Sequence, residues 1–207
     1  MVSNIRCVTI FISTPTNMSR YVERICTLID DFNEIRGYRR RIIFRPIHWK
    51  KDAAGQVTED AQNVINSDLL DECDLLIGVI GDRLGTATAR APSGTAEEIL
   101  RFIEKKSDTF SGKHAQIIFR LKIDGDIYSI DHLQIEAVKN FKKDIQKRAL
   151  TVDFSEDHEL DGIVERFLES ACSLVEAAHQ ADTRVADFPE SSQQKGNSVV
   201  LHGSAPV

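Results

Sequence analysis

Cysteine is sparse in this chain, with four in 207 residues, at Cys7, Cys26, Cys73 and Cys172. No two form a C-x-x-C pair, which excludes a zinc ribbon or a thioredoxin-like motif. Each lies in an apolar pattern, so reduced and mostly buried thiols in a cytoplasmic protein are expected. Positive charge is in deficit: 26 Lys and Arg stand against 32 Asp and Glu, a net charge of -6. A general nucleic-acid binder carries the opposite balance. The run Arg39-Arg40-Arg41 is a local exception and reads as a solvated strand entry. No apolar run is long enough to span a bilayer. The opening Met1-Val-Ser-Asn-Ile-Arg-Cys7 lacks the basic-then-apolar layout of a signal peptide.

Several chemical signatures are missing as well. No G-x-x-x-x-G-K-[ST] exists, which argues against P-loop phosphoryl transfer. Gly78, Gly81 and Gly85 do not have the G-x-G-x-x-G spacing of a dinucleotide turn. There is no G-x-S-x-G elbow. The six histidines are scattered, without the spaced pair that metal catalysis would use. Strand one ends in Ser13-Thr14 and not in an acidic residue, unlike a phosphate-receiver domain.

What is present is an alternation of strand and helix patterns, the signature of a parallel sheet with crossover helices. Residues 7–12 read as the first strand. Thr14-Pro15 reads as the N-cap and first position of a helix. That helix carries Met18, Tyr21, Val22, Ile25, Leu28, Ile29 and Phe32 at helical spacing, and Gly37 is expected to end it. Residues 41–47 form strand two, closing at His48-Trp49. A second helix is expected to start at Thr58 and to carry Ala61, Val64, Ile65, Leu69 and Leu70. Strand three is 75–80, followed by a loop over 81–92 and a helix from about 96 to 106. Strand four is 115–121. A helix from Asp131 is expected to bury Leu133, Ala137, Val138, Phe141 and Ile145. Strand five is 150–154, and Ser155 caps a last long helix. The pattern stops near Gln180, giving a domain over 1–180 and a linker-like tail over 181–207. These elements fit an α/β fold: a doubly wound, five-stranded parallel sheet of order 2-1-3-4-5.

That order sets the ends of strands one and three side by side. Ligands bind in such crevices. The expected lining is Ser13, Thr14, Gly81, Asp82, Arg83 and the start of the helix at Ser93-Gly-Thr95. Glu98 is the candidate catalytic group. A carboxylate there could orient a ribose hydroxyl, steady the positive charge of a breaking N-glycosidic bond, or capture the sugar as a nucleophile. Thr95-Ala-Glu-Glu98 also matches a capping box, a role compatible with the first. Glu97 is expected to face solvent. Arg83 and Arg90 suit phosphate oxygens. Trp49 could stack on a base or simply pack at an edge.

Several of these blocks resemble a known family. Val8-Thr-Ile-Phe-Ile-Ser-Thr-Pro15, Glu23-Arg24, Arg45-Pro-Ile-His-Trp49, Cys73-Asp-Leu-Leu-Ile-Gly-Val-Ile-Gly81, Arg83-Leu-Gly85 and Ser93-Gly-Thr-Ala-Glu-Glu-Ile99 resemble the TIR-like family filed as domain of unknown function 4062. The likeness covers about residues 5 to 155. The block Gly94-Thr-Ala-Glu-Glu-Ile99 is also similar to nucleoside 2-deoxyribosyltransferases, and catalytic TIR domains carry a Glu before an aliphatic residue at this place. Both comparisons select Glu98. Two departures stand out: Ala91-Pro92 replace the transferase acidic residues, and the usual TIR sequence around the catalytic Glu, with a nearby Cys, is absent.

The resemblance implies a signalling or defence effector domain that binds a nucleotide such as NAD. NAD would be a substrate cleaved at its glycosidic bond, with no resident cofactor and no metal. It implies self-association and work alongside a signalling NTPase or repeat module, with no nucleic acid and no membrane as partner. The rival readings are a non-catalytic self-associating module and a deoxyribosyltransferase-like enzyme.

Overall fold

The computed structural model describes residues 5–48, 69–88, 90–104, 114–123 and 130–186. Its centre is a parallel sheet of five strands in the order β2-β1-β3-β4-β5. The strands are β1 (Arg6–Ser13), β2 (Ile42–Ile47), β3 (Leu75–Ile80), β4 (His114–Arg120) and β5 (Thr151–Phe154). The helices are α1 (Arg20–Phe32), α2 (Gly94–Glu104), α3 (His132–Ile145) and α4 (Asp157–Ala186). This is the flavodoxin-like doubly wound arrangement that the alternating pattern specifies. The helix expected from Thr58 lies outside the described residues, as do Trp49 and Gly55.

Strand β3 is buried along all six residues, so its continuous apolar run has a physical reason. Leu75, Ile77 and Val79 pack with Ile25, Ile29, Phe167 and Leu168 on the α1 and α4 face. Leu76 and Ile80 pack with Ile99, Phe102, Phe141 and Ile145 on the α2 and α3 face. Each fully buried side chain of this size contributes about 1.5–3 kcal/mol. Two ties fasten α4 to α1. Arg24 forks onto both carboxylate oxygens of Asp161 at 2.6 Å. The Tyr21 hydroxyl accepts from Arg20 at 2.7 Å and donates to Asp157 at 3.1 Å.

Local details depart from the sequence reading in four places. Gly37 does not end α1: the chain runs on through a π turn (Asn33–Gly37) and a further turn (Tyr38–Arg40). Reversal comes at Arg41, whose φ of 59° is left-handed. Gly37 is there for space, because a Cβ would sit 2.7 Å from the Ile42 carbonyl oxygen. Arg40, read as solvated, instead forks onto Glu176 at 2.8 Å and reaches Glu169 at 2.6 Å. Leu133 is 79% exposed, not buried. Asp131 caps α3 by accepting from the Leu133 and Gln134 N–H groups, and this phase turns Gln134, Phe141 and Ile145 inward. Of the cysteines only Cys172 is buried; Cys7 is exposed and the other two are half-buried. Burial pushes the Cys172 thiol up to about 11, so it stays protonated and unreactive near neutral pH.

Candidate functional site

Helix α2 starts earlier than its sequence pattern suggests. Ser93 is the cap: its Oγ accepts from Ala96 N–H at 3.0 Å, and its carbonyl from Glu97 N–H at 2.9 Å. The third helical residue is therefore Ala96, and a capping box from Thr95 to Glu98 does not form. Thr95 lies inside the helix, 7% exposed. Glu98, one turn in, is released from the cap role.

Gly78 brings α2 down onto the sheet. A Cβ there would lie 2.9 Å from Ile99 Cδ1. Gly78 is also the register partner of Ser13 on β1. The close approach thus sets the residue next to Ile99 against the end of β1. Ser13 Oγ donates to Glu98 Oε2 at 2.5 Å, with Ser13 fully buried and Glu98 4% exposed. A buried carboxylate survives only with such partners. Thr14 is buried beside this pair but caps no helix; the following turn (Thr16–Met18) has Pro15 at its cap, with no side-chain cap bond.

The loop between β3 and α2 forms the opposite wall. Gln134 of α3 accepts from Leu84 N–H at 3.0 Å and Gly85 N–H at 3.4 Å. Gly85 takes φ +107° beside Ser93 and Pro15. Glu97 is buried, contrary to the solvent-facing expectation. It accepts from Thr88 Oγ1 at 2.8 Å and from Arg90 Nη1 at 3.1 Å. Consecutive helical residues diverge by about 100°. Glu97 and Glu98 therefore serve different neighbours.

Three contacts join the segment after β1 to the loop after β3. Asn17 donates to Asp82 at 2.9 Å. Met18 packs on buried Gly81, where an added Cβ would be 2.3 Å from its Cε. Pro15 lies against Gly85. Ser13, Thr14, Gly81, Asp82, Ser93 and Glu98 thus lie at the ends of β1 and β3 and at the start of α2, and all but Asp82 are buried. Arg83 is exposed on the same loop. Arg90 goes elsewhere, to Glu97 and a cleft of about 520 Å³ lined also by Asp71, Leu100 and Arg101. Among the described residues no group of three His, Cys, Asp or Glu side chains gathers as metal ligands do. Asn17, Met18 and Gln134 are site residues that the sequence reading missed. No local pattern marked them, because each acts through a partner on another loop.

A family profile matches residues 9–169, from β1 into α4. The chain belongs to that family, described as Domain of unknown function (DUF4062). No curated protein matches the sequence. Among solved structures, this DUF4062 domain is similar to a conserved protein from Enterococcus faecalis V583. The TM-score is 0.46 at 13% identity, covering 77% of this chain and 98% of that one. An oxidoreductase from Corynebacterium diphtheriae gives 0.41 at 15% identity, covering 84% and 99%. A short-chain flavodoxin associated with a bacterial microcompartment gives 0.34 at 18% identity, covering 84% and 99%. No likeness at this level speaks to activity. Among the described residues no helix is long and apolar enough to cross a membrane.

Proposed function

We propose that this DUF4062 domain binds a nucleotide such as NAD between the ends of β1 and β3, and cleaves its N-glycosidic bond through Glu98. One observation carries the reading: a carboxylate 4% exposed is held by Ser13 Oγ across the carboxyl edge of the sheet. It stands one turn into α2, where the ligand crevice of this fold lies. The resemblance of Gly94-Thr-Ala-Glu-Glu-Ile99 to glycosidic-bond enzymes selects the same residue.

The chemistry follows from that placement. As the bond from the ribose carbon to the nicotinamide nitrogen breaks, its electron pair leaves with nicotinamide. Positive charge spreads over the ring carbon and oxygen. Glu98 steadies that charge and orients a ribose hydroxyl. Water adds to the carbon and loses a proton, leaving ADP-ribose. Ser13 fixes one carboxylate oxygen by donating to it. Exposed Arg83 supplies a guanidinium for phosphate. Arg90 would join it only by exchanging Glu97 for the ligand.

Incubating the full chain with NAD should release nicotinamide. Glu98→Gln, nearly isosteric, should lower the rate by about 100-fold or more. Equal rates in both proteins would remove Glu98 from the reaction. The second reading is a non-catalytic, self-associating module. The bridged crevice mouth favours it, since the walls meet through Asn17, Met18 and Pro15. On that reading the wild type releases no nicotinamide in any assembly state, and Glu98→Gln leaves self-association unchanged.

A further inference from the structure

We propose that α1, with the turns that continue it to Arg40, presents a self-complementary face on which a second copy of this chain docks antiparallel, about a two-fold axis at Ile35. Such pairing is the self-association of the second reading above, and it needs none of the Glu98 chemistry.

Helical spacing builds the face. The buried series from Tyr21 to Phe32, continued by Asn33 and Gly37, lies inward. Asp30, Glu34 and Tyr38 form one outward row at intervals of four, and Asp31, Ile35 and Arg39 form a second row beside it. All six are exposed. Two large apolar side chains stand among them: Ile35 is 61% exposed and Tyr38 59%. The charges are sorted along the rod, acidic before Ile35 and basic after it. The neighbouring guanidiniums are engaged within the chain. Arg36 pairs with Glu169, and Arg40 with Glu169 and Glu176, all on α4. Among the described residues no ion pair engages Arg39, Asp30, Asp31 or Glu34.

That order selects the occupant. A parallel copy would set acid against acid, with like-charge repulsion. A reversed copy sets Arg39 of each chain against Asp31 of the other, both four residues from the axis. Two such pairs form, as an isologous contact requires. The two Ile35 side chains meet between them, with Tyr38 on either flank, giving an apolar centre inside a charged rim. A net charge of -6 on each copy disfavours faces that lack such local complementarity. The face is one helix wide, which places the pairing in the weak, transient class.

Sedimentation velocity on the full chain, from about 10 to 500 μM, reads the pairing as mass. Wild type should dimerise with a dissociation constant on the order of 100 μM. Arg39→Asp and Asp31→Arg should each weaken it by about tenfold or more, because like charges then face each other. Both positions are exposed, so melting temperatures should hold. Mixed in equal amounts, the two variants should recover wild-type affinity within about threefold, since the exchanged charges then meet their opposites in both pairs. Ile35→Ser should weaken wild type by about tenfold with the core untouched.

A wild type that stays monomeric throughout overturns the pairing and the self-associating reading together. Dimers that neither charge variant weakens overturn this face and leave self-association standing. Weakening without recovery on mixing overturns the antiparallel register. Recovery on mixing, in a chain that releases no nicotinamide, upholds the face and removes only the Glu98 reading.

Discussion

Asn33 sits in the π turn after α1, 7% exposed, where its amide meets the backbone of β2. Its Nδ2 donates to the Phe44 carbonyl at 2.8 Å and its Oδ1 accepts from the Phe44 N–H at 2.9 Å. Asn33→Ala would strip a partner from two backbone groups and should cost about 1–3 kcal/mol. A lower urea midpoint with an unchanged slope would show it. Gly78→Ala acts at the site itself. The new Cβ would push Ile99 from 2.9 Å contact, costing about 1–3 kcal/mol. It should also loosen the Ser13–Glu98 pair, so nicotinamide release should fall more than stability does. A matched loss of activity and folded fraction would contradict this. At this scale the sequence was partly legible. Glu98 was singled out because few carboxylates follow a buried strand and a glycine-rich loop, and the structure buries it against Ser13. Glu97 was misread because its partners, Thr88 and Arg90, lie in an irregular loop that periodicity cannot place.

Elements were more legible than their ends. Apolar spacing from Met18 to Phe32 marked this helix, which runs from Arg20 and buries Tyr21, Val22, Ile25, Ile29 and Phe32. Its true end was hidden, because a glycine can mark either a helix stop or a close packing contact, and Gly37 is the latter. The turn beyond it is fastened to α4 by Arg40, whose partners Glu169 and Glu176 lie more than a hundred residues away. No local pattern encodes such a pair. The Arg40 guanidinium holds the Glu176 carboxyl below its ordinary value of 4.5. A depressed carboxyl adds stability above its unfolded value, and that share is lost as pH falls through the folded one. The wild type should therefore lose melting temperature below about pH 4.5, and Arg40→Ala should lose less over the same range. Parallel melting curves from pH 7 to pH 3 would rule the linkage out. Both side chains are partly exposed, at 26% and 40%, so added salt should shrink the difference.

The whole molecule is a sheet insulated on both faces, and its strand order followed from the alternation of patterns because few topologies permit it. What escaped the sequence was the meeting of the segments after β1 and β3, where a methionine, Met18, packs on a glycine, Gly81. The two core layers share the sheet but not their side chains. Ile25→Val on one face and Ile99→Val on the other should each cost about 0.5–1.5 kcal/mol. The double variant should equal their sum within about 0.5 kcal/mol, as for distant sites. Denaturant titration of the four proteins checks this. A large coupling would mean that the sheet transmits strain between its sides.

The outer border of β2 has one more consequence. Phe44 spends its outward amide and carbonyl on Asn33. Two residues on, with the same orientation, stands Pro46, which has no N–H to offer. A visiting polypeptide would find no ladder to continue along this margin. A second copy meeting this edge is thereby steered away from sheet extension and toward contacts between helices or loops. Unfolded neighbours are denied a template at this edge.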